Sequence, residues 1–205
     1  MKLEQSQLDY LKDRGSNYDR KYRMFELLLD KIPSNLDTVV ELFGGVGIQS
    51  YYLQRDKNIA NHITIDQDSE CNAMFNKLMP SITRIHGNCF NYENSDKIDL
   101  VVCDSVFNKK EFEHIVSLVN KFDFDYLILT NTGVFNVRFN KDLSYEQYWS
   151  DLIKRLQQYN LYTSDVVYSS DFGMMLIRKD NYCNANVGKL YKNDVSKDWR
   201  EYISQ

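Results

Sequence analysis

The chain has 205 residues, a formal net charge of -4 and an aromatic content raised by 15 Tyr and 11 Phe, in an otherwise ordinary globular composition. That length fits one domain, or one domain with a short appendage, and is enough to bury a sizeable core. The acidic balance excludes a generally basic surface, so any nucleic-acid contact needs a local patch. No apolar run approaches the roughly 18 to 20 residues of a membrane-spanning helix, and the first residues hold no signal-peptide core, so no membrane partner and a cytoplasmic location are expected. The 4 Cys are scattered without a Cys-x-x-Cys pair and there are 3 His, which argues for reduced, buried thiols and against a metal site or disulfide framework.

Residues 1–17 form a polar lead-in. Tyr18, Tyr22, Phe25, Leu28, Leu29 and Ile32 then recur at helical spacing, predicting an amphipathic helix over 18–32 that Pro33 ends. Lys12, Arg14, Arg20, Lys21 and Arg23 make this the most basic part of the N-terminal half, either a solvated helix face or a phosphate-binding patch. Next comes the most informative stretch, residues 38–50. The β-branched pair Val39 and Val40 leads into Glu41, then into Gly44, Gly45 and Gly47, and then into a segment able to start a helix over 48–55. That pattern is a strand, a tight turn and a helix; glycines serve such a turn by allowing positive φ and close approach to the backbone.

Residues 63–66 read as a second strand ending in Asp66, followed by a helix over 69–79 with Asp68 or Ser69 as its cap. A third strand over 82–86 runs into Gly87, Asn88, Cys89 and Phe90. Residues 98–104 form a fourth strand, apolar on both faces in its middle as the centre of a parallel sheet requires. A helix over 109–122 and a fifth strand over 126–130 follow. The stretch 131–143 has no helical pattern and interleaves Phe135 and Phe139 with Arg138 and Lys141. Ser144 with Gln147 makes a capping box for a helix reaching about Tyr159. Two strands, 164–168 and 174–178, flank a short turn and predict an antiparallel hairpin. Residues 181–205 read as a polar, irregular tail, punctuated by Leu190, Tyr191, Trp199, Tyr202 and Ile203, suited to packing back, self-association or a protein partner.

Strands alternating with helices give a mostly parallel α/β sheet, helices on both faces, closed by an antiparallel hairpin. The domain spans 18–180. Its ligand is expected beyond the carboxyl ends of the strands, after Glu41, Asp66, Phe90 and Asp104.

The run Glu41-Leu42-Phe43-Gly44-Gly45-Val46-Gly47, with Asp66 about twenty residues on, resembles the nucleotide-binding turn of the class I S-adenosylmethionine-dependent methyltransferases. In that family an acid is followed two positions on by Gly or Phe, then by Gly-x-Gly. The Phe43 form is similar to that of enzymes methylating DNA or RNA bases, the terminal hairpin is also family-like, and the resemblance covers about residues 20–178. The resemblance implies a Rossmann-like fold and S-adenosylmethionine as cofactor. It implies that Gly45 and Gly47 let the backbone approach the methionine part, that Glu41 holds its amino group directly or through water, and that Asp66 accepts from both ribose hydroxyls. Asn88, in place of a common Asp, and Cys89 stand where the family contacts adenine. Asp66 could instead cap the following helix, for which Asp68 is an equal candidate. Cys89 and Cys103 also suit small buried core positions, and Gly44 shapes the turn.

Base-amino methyltransferases carry Asp or Asn, then Pro-Pro and an aromatic, at the end of the fourth strand. Here Asp104 is followed by Ser105, Val106 and Phe107, so both prolines are missing. Asp104 remains the candidate for orienting or deprotonating an acceptor N–H or O–H, and Phe107 either stacks on a base or packs in the core. Cys103, inside a strand, is poorly placed as a cytosine-5 nucleophile. The expected activity is therefore methyl transfer from S-adenosylmethionine, with a nucleic acid as acceptor. The alternatives are a small-molecule or protein acceptor, a non-catalytic binding or assembly module with this fold, or a nicotinamide-binding enzyme, which the glycine spacing disfavours.

Overall fold

Alternation along the central strands decides the architecture. Val39, Leu100 and Val102 turn to one face of the sheet and Val40, Leu42, Val101 and Cys103 to the other, and both sets are buried. The computed structural model describes residues 17–105, 111–131, 144–169, 172–179 and 185–190. Within them the order is α1 (Asn17–Leu29), β1 (Asn35–Leu42), α2 (Ile48–Asp56), β2 (Asn58–Asp66), α3 (Ser69–Leu78) and β3 (Thr83–His86). A short 3-10 turn (Cys89–Asn91) leads to β4 (Ile98–Cys103), α4 (Phe112–Val119), β5 (Phe124–Asn131), α5 (Tyr145–Gln157), β6 (Tyr162–Tyr168), β7 (Gly173–Arg178) and β8 (Asn186–Lys189).

The strands form one sheet in the order β3-β2-β1-β4-β5-β7-β6-β8. β1 to β5 are mutually parallel, and β7 runs antiparallel between β5 and β6. Strand order reverses between β1 and β4. On one face α1, α2 and α3 pack through Phe25, Leu28, Tyr52, Leu53 and Phe75; on the other α4 and α5 pack through Phe112, Val116, Trp149 and Leu156. The expected parallel sheet with a terminal hairpin and helices on both faces is what forms.

Boundaries differ where polarity hid pairing. β2 begins at Asn58 rather than at 63, because the polar Asn58 and Asn61 pair with Asn35 and Thr38 at an exposed end of the sheet. The region after 180, expected to be irregular, contributes β8, a fully exposed strand parallel to β6. α5 opens with the expected capping box, Ser144 accepting from the Gln147 backbone and Gln147 from that of Ser144. It ends in a Schellman-type closure: Asn160, at φ 59°, donates to Gln157 O, and Leu161 donates to Leu156 O. The lead-in to residue 16, Phe107, the loop residues Phe135, Arg138, Phe139 and Lys141, Cys183 and the tail beyond 190 lie outside the described residues.

Among the described residues, no helix is long and apolar enough to cross a membrane and no His/Cys/Asp/Glu group could hold a metal ion.

Candidate functional site

The parallel strands end on one rim: Leu42 pairs with Ile65 and Cys103, and Asp66 with His86. That rim straddles the β1/β4 reversal, where an open sheet of this kind binds its ligand.

The turn from β1 to α2 is built on left-handed backbone, with φ of 60° at Phe43, 52° at Gly45 and 84° at Gly47. Such a conformation costs a residue carrying Cβ about 1–2 kcal/mol, so its presence at Phe43 marks a position the surroundings impose. The glycines have different neighbours. A Cβ on Gly44 would lie 2.0 Å from Thr64 Oγ1 and one on Gly47 2.5 Å from the Phe75 ring, whereas one on Gly45 would meet nothing within 4 Å. Gly44 and Gly47 thus admit the layer beneath the turn, while Gly45 faces open space that a bound group can fill.

Asp66 turns back to this cradle. Its Oδ2 accepts from Gly45 N at 2.8 Å and its Oδ1 from Asp68 N at 2.8 Å. The first-turn cap of α3 is Asp68, which accepts from Glu70 N and Cys71 N, and Asp66 meets the helix start through the Asp68 N–H alone. Below the turn lies Arg84 of β3, its side chain 1% exposed and its Nη2 4.0 Å from Asp66 Oδ2. Burial pulls the guanidinium below its ordinary value against the opposing charges of Asp66 and Glu41, though a guanidinium stays protonated in proteins.

Glu41 is wholly buried. Its Oε2 accepts from the Ser50 hydroxyl and stands 3.6 Å from His62 Nε2. Gln54 Nε2 lies 3.2 Å from the other ring nitrogen of that histidine. Glu41 Oε1 has no partner among the described residues. A buried carboxylate oxygen left without a donor is costly, so this one suits a donor supplied from outside.

On the β3 side, Asn88 is exposed and its side-chain oxygen accepts from Phe90 N at 2.9 Å. Cys89 is buried; its Sγ accepts from Phe43 N at 3.3 Å and donates to Ile65 O at 3.5 Å, and burial pushes the thiol up to about 11. Its side chain ties strand ends together, leaving its backbone for any ligand. Phe90 is partly exposed, edge-on to Phe43 with centroids 6.1 Å apart. Cys103 is wholly buried, with its thiol pushed up by burial, consistent with a core position.

Across the reversal, Asp104 follows β4. Lys21 of α1 donates to its Oδ2 at 2.5 Å, and the Thr130 hydroxyl of β5 donates to its Oδ1 at 2.9 Å. α1 reaches this point because it is fastened to α2: Tyr22 stacks on Tyr52 at 5.2 Å and Glu26 accepts from Arg55 at 2.8 Å. Beside Thr130, the buried Asn131 accepts from the Tyr148 hydroxyl at 2.9 Å, and burial pushes that hydroxyl up to about 12.

The structure therefore brings Glu41, Gly45, Asp66, Asn88 and Cys89 to one side of the reversal and Asp104 to the other. Sequence reasoning missed Arg84 beneath the turn, His62 beside Glu41 and Lys21 on Asp104. Lys21 carried a faint signal, since it lies one residue before the inward Tyr22 on α1.

No protein-family model matches the chain, and no curated protein matches its sequence. Solved structures do match. PH1948 from Pyrococcus horikoshii, provisionally assigned as an RNA methyltransferase, aligns with a TM-score of 0.57 at 10% identity over 78% of this chain and 82% of that one. TrmK of M. capricolum, solved with S-adenosylhomocysteine, gives 0.54 at 13% identity over 79% and 69%. An S-adenosylmethionine-dependent methyltransferase from Clostridium acetobutylicum gives 0.59 at 11% identity over 84% and 98%. At these identities the likeness is one of fold: the chain has the class I methyltransferase fold.

Proposed function

We propose that this chain is an S-adenosylmethionine-dependent methyltransferase acting on a base of a nucleic acid. The observation that carries the reading is the cradle at the strand-order reversal. Gly45 faces open space, Glu41 is a buried carboxylate with an unpartnered oxygen, and Asp66 is turned to the same turn. These groups fit the cofactor. The Gly45 face accommodates its methionine part, Glu41 Oε1 its ammonium, the Asp66 oxygens its ribose hydroxyls, and Asn88 with the Cys89 backbone its adenine. Gly47 serves by letting α2 start close over Phe75.

When bound, the cofactor supplies a methyl group made electrophilic by its sulfonium. The chain's task is alignment and exclusion of water. Asp104 is the residue to orient the acceptor. Lys21 and Thr130 hold one carboxylate oxygen each, and each oxygen keeps a second lone pair for an acceptor N–H or O–H. A base as acceptor is supported by Phe43 in place of glycine, by the Phe43–Phe90 pair, and by the basic and aromatic residues within 131–143.

A second reading, a binding or assembly module without catalysis, is favoured by Lys21 on Asp104 and by Ser105 and Val106 where base-amino enzymes carry prolines. Transfer of labelled methyl to a mixed pool of tRNA, rRNA, DNA and protein separates the readings. Label on nucleic acid, lost in Asp104→Ala, is the expected result. Label only on protein or metabolites defeats the nucleic-acid acceptor, and cofactor binding with no label anywhere favours the module.

A further inference from the structure

One guanidinium lies under both halves of the cradle. Arg84 Nε donates to Asn72 Oδ1, Nη1 to Thr64 Oγ1 at 3.0 Å, and Nη2 to the Gly45 carbonyl at 2.9 Å. Its central carbon stands 4.5 Å from the centroid of Phe75, the ring that fills the space beneath Gly47. Asn72 passes the contact on, its Nδ2 donating to the Asp66 carbonyl at 3.1 Å. The β1–α2 turn, β2, α3 and β3 therefore meet on one side chain. A planar fork can bond acceptors on three elements at once, which a lysine ammonium on a flexible stem does not reproduce.

A glycine at φ 52° has little intrinsic preference for that conformation over several others. The bond from Arg84 to its carbonyl selects the observed one. We propose that Arg84 is the positioning residue of the cradle, fixing the Gly45 peptide directly and the Asp66 backbone through Asn72, so that the turn and the ribose-side carboxylate are aligned before a ligand arrives. The inference rests on the S-adenosylmethionine reading of the site. Arg84 acts through Gly45 and Asp66, and its effect is the gain in affinity that preorganisation brings.

The test is calorimetric titration of the full chain with S-adenosylhomocysteine, for wild type, Arg84→Met and Arg84→Lys, at a temperature where circular dichroism shows each folded. Arg84→Met is expected to bind about 10- to 100-fold more weakly, the loss of a charged hydrogen-bond donor. Arg84→Lys should recover only part of that. Ethylguanidinium added to Arg84→Ala should restore affinity, and equal sodium chloride should not. Folded Arg84→Met binding within about two-fold of wild type overturns the proposal. If Arg84→Met does not fold, Asn72→Ala, which cuts only the branch to Asp66, decides in its place: about ten-fold weaker binding supports the proposal and unchanged binding overturns it. If wild type itself does not bind, the cofactor reading fails and Arg84 is judged on amide exchange in the free protein. Faster exchange at Gly45 and Asp68 in Arg84→Lys then supports the clamp, and unchanged exchange overturns it.

Discussion

Replacing the turn glycines one at a time should separate binding from stability. In Gly45→Ala the new methyl meets no atom within 4 Å, so only the backbone at φ 52° resists it. That costs about 1 kcal/mol, which lowers Tm by about 2–4 °C in a chain of this size. The same methyl stands in the space assigned to the cofactor, and overfilling a fitted site costs about 1–3 kcal/mol, or roughly 5- to 150-fold in Kd. Gly47→Ala is the opposite case. Its Cβ would stand 2.5 Å from the wholly buried Phe75 ring, at φ 84°, for a cost of about 2–5 kcal/mol and a Tm lower by about 5–15 °C. Scanning calorimetry and titration with S-adenosylhomocysteine on both variants give the comparison. Gly45→Ala with wild-type affinity would refute the cradle, and Gly47→Ala as stable as wild type would refute the packing beneath the turn.

Asn160→Gly at the left-handed end of α5 should stabilise by about 0.5 kcal/mol and Asn160→Val destabilise by about 1–2 kcal/mol in urea titrations; equal stabilities would count against the closure described. Asp165 has its carboxyl held below its ordinary value, burial raising it but the hydrogen bonds from Lys31, Ser164 and Asn186 outweighing that. A depressed carboxyl stabilises fully above the unfolded pKa of about 3.9 and loses that contribution as pH falls through the folded value. Asp165→Asn should therefore be less stable than wild type at pH 6, with the gap closing toward pH 3, and a gap independent of pH would contradict the assignment. Cys89 and Cys103, buried and with raised thiols, should resist iodoacetamide at pH 8 in the folded chain, as peptide mapping reads it, because the thiolate is the reactive form. Labelling of either at the rate of a free thiol contradicts the burial described.

Periodicity made most of this fold legible. The apolar runs at 39–42, 98–103 and 126–130 are strands buried on both faces, and such strands announce themselves. The Phe43–Gly47 turn was legible because its backbone needs glycine at fixed places. What the sequence could not reveal depended on neighbours from elsewhere in the chain. Arg84, flanked by Thr83 and Ile85, looks like an ordinary polar position on a short strand; it is buried only because Phe75, Thr64 and Gly45 close around it. Lys21 read as part of a basic helix face, yet the stacking of Tyr22 on Tyr52 rotates it onto Asp104. β8 shows no alternation and its one large apolar side chain, Val187, is exposed, since a strand exposed throughout needs only backbone pairing to form. Which acid caps α3 was undecidable between Asp66 and Asp68 until the geometry assigned that cap to Asp68.

Calorimetric titration of the full chain with S-adenosylhomocysteine, beside Asp66→Ala, decides whether the cradle of Glu41, Gly45 and Asp66 holds S-adenosylmethionine. Saturable one-to-one binding to wild type is expected, weakened about 10- to 100-fold in the variant by loss of a charged acceptor. No binding to wild type, or equal binding to both proteins, would contradict it.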